Sequence, residues 1–455
     1  MGKYILLISL AVLLASSGSY AQSNSRDTEE SHFGVNLGSL SYDSAVNHIR
    51  ELGNIYVRNG IWGDLYGWKK VKIKKGSRLI LASKELCEKY CDPERSSSDP
   101  NNPQPKSYYC ESGQLYFCRP PSRESLIEGM PPLADFYENP NNLSFKWFVS
   151  VATSRYDKKP PKNFLAGTYP YGNEDTYKGY IEYLVKRLGD KVKYWEIGNE
   201  NDGAAFWAGT PKEYADMLVI ASEEIKKNCA DCKVGISFAH PGLSPKFPDR
   251  IKEWYLAMGK VCDSFDFIDA HFYSPSFIKP GELDEWKKIC PGKEFISTET
   301  GIPDNIHKGK PQNAGGSPAK QAQDLIKYNT LLFAEGYSKI YWFLMDTEYG
   351  MGEIFLHNGL IDDVDNSRKP AFYSYKTMIN KVDYFTSISK LAEGQYKYTL
   401  SNKGPVYVLW CDTGTCTLPS EIGGIVKVTD YLGNEEIKNT NQITLTESPV
   451  FVEEK

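Results

Sequence analysis

Short apolar runs and longer amphipathic runs alternate along the chain from about residue 31 to residue 385. The short runs have the length of one buried strand, and the longer ones repeat apolar residues with the period of an α-helix. Eight of the short runs are predicted as strands, and they begin at Phe33, Asn54, Lys146, Val192, Lys233, Phe265, Lys293 and Lys339. This alternation predicts an α/β fold with a parallel sheet, and eight strands predict a closed (β/α)8 TIM barrel.

Helices are predicted at residues 43–52, 176–188, 211–227, 248–259, 318–334 and 369–381. Two of them begin with a hydroxyl residue followed by proline, at Thr210-Pro211 and Ser317-Pro318. A hydroxyl side chain caps the free N–H groups of the first turn, and proline fits the first helical position.

The helical period stops after about residue 386, and short alternating runs such as "GPVYVLWC" and "GIVKVTDYLG" follow. Alternation with a period of two predicts strands, so residues 386–455 are expected to form a small antiparallel β-sandwich domain. This domain holds no cluster of acids or metal ligands, which favours a structural role over carbohydrate binding.

A long polar stretch, from residue 60 to about 122, follows the second predicted strand. It contains Cys87, Cys91, Cys110 and Cys118, and it has no clear periodicity. Loops that follow the strands of a parallel barrel lie on its catalytic face. This Cys-rich insertion is therefore expected to overhang the site.

The first 21 residues have the features of a secretory signal peptide. A basic start precedes an apolar run from Ile5 to Ala15. The small residues Ser19 and Ala21, on either side of Tyr20, form a cleavage pattern before Gln22. The mature chain is expected to be secreted or periplasmic. No later apolar run has the length of a membrane span.

Ten cysteines lie in the mature part of the chain, an even number that predicts up to five disulfides in an oxidising compartment. Zinc is the alternative, because Cys229 and Cys232 form a C-x-x-C pair, but no second pair is evident near them in the sequence. The spacing leaves the connectivity open, although Cys411 and Cys416 are close enough in sequence to close one loop.

Charge and aromatic content narrow the range of partners. A net charge of −5 argues against nucleic acid. Aromatic residues make up 13% of the chain, including 31 Tyr and 9 Trp, and their flat faces suit stacking on sugar rings as well as packing in a core.

Polar residues lie at the ends of several predicted strands, where a closed barrel would bring them to one mouth. The fourth strand ends in Asn199-Glu200, the seventh in Glu299, and the sixth carries His271 and Tyr273 two residues apart. The second ends in Arg58 and the eighth carries Trp342. Two facing carboxylic acids are what glycosidic bond cleavage requires, since one protonates the leaving oxygen and the other attacks or activates water.

Four of these strand segments resemble the retaining glycoside hydrolases of clan A: "WEIGNE", "HFY", "STETG" and "YWFLMDT". The segment "GLIDDVDNSRKPAFYSY", from Gly359 to Tyr375, is similar to the lead into the last helix in family 39 and neighbouring families. The resemblance covers most of residues 31–385, and a terminal β-sandwich is also common in that clan.

The resemblance implies a role for each residue at the mouth. It makes Glu200 the general acid/base and Glu299 the nucleophile. It implies that Asn199 holds a sugar hydroxyl, that Tyr273 bonds to the nucleophile, and that His271 belongs to the same pattern. Arg58 would keep the nucleophile ionised, or would instead neutralise Glu196. Trp342 would form a platform under the sugar; the less favoured alternative is that it and Tyr273 fill the barrel.

The sequence therefore predicts an exported retaining glycoside hydrolase with a carbohydrate substrate and no metal or organic cofactor. A catalytically inactive glycan-binding barrel is the alternative, but a binder would not need both Glu200 and Glu299. A metal-dependent hydrolase would need a cluster of His and Asp at the strand ends that the sequence does not offer.

Overall fold

A computed structural model of the chain describes residues 30–36, 42–64, 79–81, 108–111, 114–117, 146–154, 174–189, 191–203, 206–239, 248–274, 278, 281, 283–304, 306–307, 310–311, 317–345, 357–362 and 366–455. The predicted signal peptide and the Cys87, Cys91 and Cys118 positions lie outside these ranges.

Eight parallel strands close into a barrel, as predicted. They are β1 (Phe33–Asn36), β2 (Tyr56–Asp64), β3 (Lys146–Ser154), β4 (Val192–Ile197), β5 (Lys233–Phe238), β6 (Phe267–Phe272), β7 (Glu294–Thr300) and β8 (Lys339–Trp342). Each strand pairs with its neighbours in sequence, and β1 pairs with both β2 and β8 to close the ring. Seven of them lie within the apolar runs predicted as strands, whereas β2 continues past its predicted run into the first residues of the stretch predicted as the insertion.

Seven α-helices are described outside the strands. They are α1 (Tyr42–Leu52), α2 (Glu174–Leu188), α3 (Pro211–Asn228), α4 (Pro248–Met258), α5 (Asp284–Ile289), α6 (Pro318–Glu335) and α7 (Pro370–Val382). The Thr210 side chain accepts the Glu213 N–H in a capping box, and Ser317 accepts the Lys320 N–H, as their sequence positions predicted. Helix α5 was not predicted, because six residues are too few to show a helical period.

Large apolar side chains fill the barrel interior near the strand starts. One side chain comes from each of six strands, and the layer consists of Tyr56, Phe148, Tyr194, Phe267, Ile296 and Tyr341. The other two strands contribute Gly34 and Gly235, since a Cβ on Gly235 would lie 2.0 Å from the Phe267 ring. This layer closes the lower barrel, so polar chemistry is confined to the layers above it.

A six-stranded antiparallel sheet follows the barrel, as the pattern after residue 386 predicted. Its strands are β9 (Phe385–Ala392), β10 (Gln395–Leu400), β11 (Val406–Leu409), β12 (Ile425–Asp430), β13 (Glu435–Asn439) and β14 (Val450–Glu454), in the order β9-β10-β11-β14-β12-β13. One face, with Tyr398 and Val408, joins the barrel core, and the other, with Leu409 and Val426, is covered by Ile422 and Leu445. Two buried faces fit the predicted sandwich.

The start of the barrel is tied to this junction with the C-terminal domain. Ser31 Oγ donates to Asp383 Oδ2 at 2.8 Å, and the His32 N–H donates to Asp383 Oδ1 at 2.9 Å. The His32 ring stacks on Phe385 with centroids 4.1 Å apart. The first barrel strand and the first strand of the terminal sheet are therefore fixed to one another.

Three disulfides are present among the described residues: Cys229–Cys232, Cys262–Cys290 and Cys411–Cys416. The C-x-x-C pair is bridged, so its sulfurs are not zinc thiolates, and the alternative of a zinc site there is wrong. The short loop at Cys411 and Cys416 is closed as predicted. None of the helices that the structure describes has the length and apolar character to cross a bilayer.

Candidate active site

The polar residues that follow the apolar strand β4 form a turn. Asn201 Nδ2 donates to Ile197 O at 3.1 Å and to Ser237 O at 3.0 Å, which ties this loop to the end of β5. Asp202 Oδ1 accepts the Ala239 N–H at 2.7 Å. Gly198 has φ +83, and a Cβ there would lie 2.1 Å from Asn201 Oδ1. These residues build a tight turn that presents Glu200.

Glu200 itself has left-handed backbone geometry, with φ +46. This conformation costs a non-glycine residue about 1–2 kcal/mol, so surrounding contacts must hold it. Its N–H donates to Ser237 Oγ at 3.2 Å, and its Oε1 lies 2.7 Å from His271 Nδ1. The carboxyl group is therefore fixed both through its backbone and through its side chain.

Glu299 lies near the end of β7, where the pairing with both neighbouring strands shifts register. Arg58 donates to Glu299 Oε1 at 2.6 Å, and the Tyr273 hydroxyl donates to Oε2. Burial and then the charge of Glu299 raise the pKa of Tyr273 well above its usual range, which keeps its proton available for donation. One oxygen of Glu299 and one of Glu200 lie within 4.8 Å of each other.

Arg58 does both things that the sequence left open, since it pairs with Glu299 and with Glu196. Its Nη2 donates to Glu196 Oε1 at 2.6 Å and to Asn199 Oδ1 at 2.8 Å, and its Nη1 also reaches Asn36 Oδ1 at 3.1 Å. Burial opposes the charge, but the two glutamates outweigh it and raise the pKa of Arg58. Burial raises the pKa of Glu196 to about 7 against the pull of Arg58.

His271 lies between three carboxylates. Its Nε2 is 3.0 Å from Asp269 Oδ2, and its Nδ1 is 2.7 Å from Glu200 and 3.5 Å from Glu299. Burial favours the neutral ring, but the charges of Glu299 and Asp269 outweigh burial and raise the pKa of His271 well above its usual range. The imidazolium form donates from both nitrogens, so His271 links these acids rather than standing open to solvent.

Trp342 is not brought to this cluster. Its side chain is fully buried in the shell between strands and helices, and its indole N–H donates to Asn358 O at 2.9 Å. Side chains alternate along a strand, and Tyr341 points into the barrel, so Trp342 points out and Phe343 points in again. The Phe343 ring meets the Tyr273 ring edge-on, with centroids 5.7 Å apart. The aromatic wall beside Tyr273 is therefore Phe343.

The other predicted site residues converge: Arg58, Asn199, Glu200, His271, Tyr273 and Glu299. The sequence interpretation missed a polar layer beneath them, made of Asn36, Ser237, Asp269 and Thr298. Each of these lies two residues from an interior-facing position of its strand, so the alternation of side chains could have found them. This layer holds the mouth residues from below.

Strands β2 and β3 extend beyond this mouth. They stay paired from Tyr56 and Lys146 to Asp64 and Ser154, and β2 continues six residues past Arg58. At about 3.3 Å per residue, that is a wall of ~20 Å on one side of the cleft. The prediction that the insertion overhangs the site remains an expectation, because the side chains of that stretch lie outside the described residues.

Three side chains of this site carry atoms of the kind that bind metal ions. Glu200, His271 and Glu299 each offer an atom within 4.8 Å of the others. Both imidazole nitrogens, however, already pair with carboxylates, and Glu299 is paired with a cation and a phenol. These atoms therefore belong to a pair of acids and to the residues that hold them in place. None of the described residues indicates a site for an organic cofactor.

Comparison with solved structures agrees with the barrel. A family 39 glycoside hydrolase from the gut symbiont Bacteroides cellulosilyticus WH2 is 15% identical with a TM-score of 0.61, over 93% of this chain and 81% of that one. A family 39 β-xylosidase from Caulobacter crescentus is 12% identical with a TM-score of 0.58, over 92% and 95%. The chain has the fold of these proteins.

A third solved structure of similar fold is an α-L-arabinofuranosidase from Thermotoga maritima. It is 12% identical with a TM-score of 0.52, over 94% of this chain and 96% of that one. No protein-family model matches the sequence, and no curated protein matches it. The similarity is one of architecture, including both the barrel and the terminal sheet, since more than nine-tenths of the chain is covered.

Proposed function

We propose that this protein is a retaining glycoside hydrolase that cleaves β-glycosidic bonds of oligo- or polysaccharides with Glu200 and Glu299. The observation that carries the proposal is the close approach of these two acids, with oxygens within 4.8 Å, at the carboxyl ends of β4 and β7. Retaining enzymes hold their carboxyl groups about 5–5.5 Å apart, whereas inverting enzymes need about 6.5–9.5 Å to admit a water.

In the first step, the Glu299 carboxylate attacks the anomeric carbon while the bond to the leaving oxygen breaks. Glu200 gives its proton to that oxygen, and a covalent glycosyl ester forms on Glu299. In the second step, Glu200 takes a proton from water, the water oxygen attacks the anomeric carbon, and the ester bond to Glu299 breaks. Two inversions give net retention.

The contacts of each acid suit these roles. Arg58 and Tyr273 both donate to Glu299, which favours the carboxylate form that a nucleophile needs. Glu200 has no arginine partner among the described residues, and His271 Nδ1 is its close neighbour. Without a guanidinium partner, this carboxyl group can be an acid in one step and a base in the next.

The activities named for two of the similar structures suggest which substrates to test first. One is a β-xylosidase and one an α-L-arabinofuranosidase. We therefore infer pentosides as the first class to test, in a panel of aryl β-xylosides, β-glucosides, β-mannosides, β-glucuronides and α-L-arabinofuranosides, with plant and microbial polysaccharides beside them. No hydrolysis of any of these by folded protein would favour the glycan-binding alternative.

The roles are tested with Glu299→Ala, Glu200→Ala and the surface control Glu182→Ala. Glu299→Ala should lose nearly all turnover on every substrate, because no ester can form. Glu200→Ala should retain turnover on dinitrophenyl glycosides, whose leaving group needs no proton, and azide should accelerate it to give a glycosyl azide of retained configuration. If azide instead rescued Glu299→Ala to that product, and had no effect on Glu200→Ala, the two roles would be exchanged.

We also propose that the protein is exported, with residues 1–21 removed as a signal peptide. The three disulfides favour an oxidising compartment. N-terminal sequencing of the mature protein should begin at Gln22, and a retained Met1 in protein recovered from its native compartment would contradict this.

A further inference from the structure

We propose that Asp269 is a positioning residue that holds His271 in its doubly protonated form and, through it, places Glu200. This inference rests on the proposed glycosidase function for its catalytic consequence, but the link between Asp269 and His271 stands independently of any substrate. No motif of the sequence singled out Asp269, and its side chain does not reach the cleft.

Asp269 is completely buried in the polar layer of the barrel, two residues before His271 on β6. Its Oδ1 accepts the Thr298 N–H at 2.6 Å, and its Oδ2 accepts Ser237 Oγ at 2.8 Å and lies 3.0 Å from His271 Nε2. Two hydrogen-bond donors and the nearby imidazole favour the charged form of this buried carboxylate. A buried carboxylate without a role would be a costly feature, so its three contacts need an explanation.

Two of those contacts lead to Glu200. Ser237 donates its hydroxyl to Asp269 and can therefore offer its oxygen to the Glu200 N–H, which is 3.2 Å away. His271 Nε2 lies 3.0 Å from Asp269 Oδ2 and 3.2 Å from Thr298 Oγ1, and Nδ1 faces Glu200 Oε1. Asp269 thus orients both groups that hold Glu200 in its left-handed geometry.

The third contact leads to the other acid. Thr298 is adjacent in sequence to Glu299, and its N–H is fixed by Asp269 in the region where β7 shifts register. A single buried carboxylate therefore touches the supports of both glutamates. This arrangement can keep the short separation between Glu200 and Glu299 constant.

The charges around His271 show why Asp269 matters for its protonation. The imidazole faces Asp269 on its own strand, Glu200 beyond β4 and Glu299 on β7, while Glu196 of β4 and Arg58 of β2 lie beside Asp269. Formation of the glycosyl ester removes the charge of Glu299. Glu200 gives up its proton at the same time, whereas Asp269 takes no part in either step, so its charge beside His271 is the same before and after the ester forms.

The direct test is the protonation state of His271 in Asp269→Asn, which has the same shape without the charge. Protein labelled with ¹⁵N-histidine would be followed by NMR across the pH range, with His271 assigned by its absence in His271→Gln. Wild type should show both ring nitrogens protonated at pH 7, and Asp269→Asn should show a neutral ring. The matched control is Asp266→Asn, which removes the charge paired with Lys226 on the same stretch of chain but should leave His271 unchanged.

A neutral His271 in wild type at pH 7, or an imidazolium that persists in Asp269→Asn, would overturn the proposal. If Asp269→Asn does not fold, Asp269→Ser leaves a smaller neutral group, and the same outcomes decide. A merely structural role for Asp269 would lower thermal stability in both variants without moving the ring signals.

The catalytic consequence is measured on an aryl glycoside that wild type cleaves. Asp269→Asn should lose about 10²-fold in kcat/KM on unactivated leaving groups, because a misplaced acid transfers its proton poorly. The loss should be much smaller on the dinitrophenyl glycoside, and equal losses on both would contradict action through Glu200. Failure of wild type to cleave any glycoside would refute the proposed function, while the NMR outcome would still decide the link between Asp269 and His271.

Discussion

Replacement of Arg58 by methionine tests the electrostatics at the centre of the site. The guanidinium makes ion pairs at 2.6 Å with Glu196 and Glu299, and the three side chains are only 6%, 0% and 10% exposed. Removing one partner of a buried pair leaves an uncompensated charge and costs about 3–5 kcal/mol. Methionine keeps most of the apolar stem, so the loss reports charge more than packing.

The cost should depend on pH, because the stranded acids can take up protons. The pKa of Glu196 is already about 7 beside Arg58, and loss of the cation raises it further. A raised acid pKa means that the folded chain binds the proton more tightly than the unfolded chain does. The stabilisation that comes from this proton uptake is full below the pKa of the unfolded chain and is lost as pH rises through the pKa of the folded chain. We expect a loss of about 3–5 kcal/mol at pH 8 and about 2 kcal/mol or less at pH 5.

Urea unfolding followed by tryptophan fluorescence at both pH values measures this difference. The matched control is Arg368→Met, which breaks a half-exposed pair with Glu51 and should cost about 0–1 kcal/mol at either pH. A loss for Arg58→Met that is independent of pH, or no larger than that of the control, would refute the reasoning.

Three further predictions concern the rest of the molecule. Gly235→Ala should cost about 2–3 kcal/mol in unfolding free energy, because its Cβ would meet the Phe267 ring at 2.0 Å, and Phe267→Leu in the same chain should recover much of it. Gly404→Ala, where nothing lies within 4 Å, is the control, and equal effects would mean a loosely packed barrel. Alkylation of the native protein should label at most four of the ten cysteines by mass spectrometry, since six are bridged; five or more would contradict this. Burial raises the pKa of Asp202 from 3.8 to about 6, so Asp202→Asn should raise the unfolding free energy by about 2–3 kcal/mol at pH 8 and by less than about 1 kcal/mol at pH 4.

The strands were predictable because burial on both faces of a parallel strand leaves a continuous apolar run in the sequence. The two catalytic candidates were predictable because Glu200 and Glu299 end such runs, and a closed barrel has one mouth. These inferences needed only the sequence order and the direction of the strands.

The errors concern side-chain direction. Trp342 was assigned to the cleft by the family resemblance, whereas the alternation from Tyr341 sends it outward and brings Phe343 inward. Asp269 was overlooked because it is part of the apolar run "FDFIDAHFY", and only its contacts with Ser237, Thr298 and His271 distinguish it from a packing residue. Contacts between strands depend on register, which a single run of sequence does not contain.

The barrel seam has a consequence for synthesis. Strand β1 completes its pairing only when β8 arrives, since Phe33 is opposite Ile340, and its anchor Asp383 comes later still. At ~5–20 residues per second, the ribosome needs roughly 15–60 s to make the intervening chain. Through that interval the first strand has no partner on one side and cannot complete the ring. Barrel closure is therefore a late event, which must follow the synthesis of residues 33 to 342.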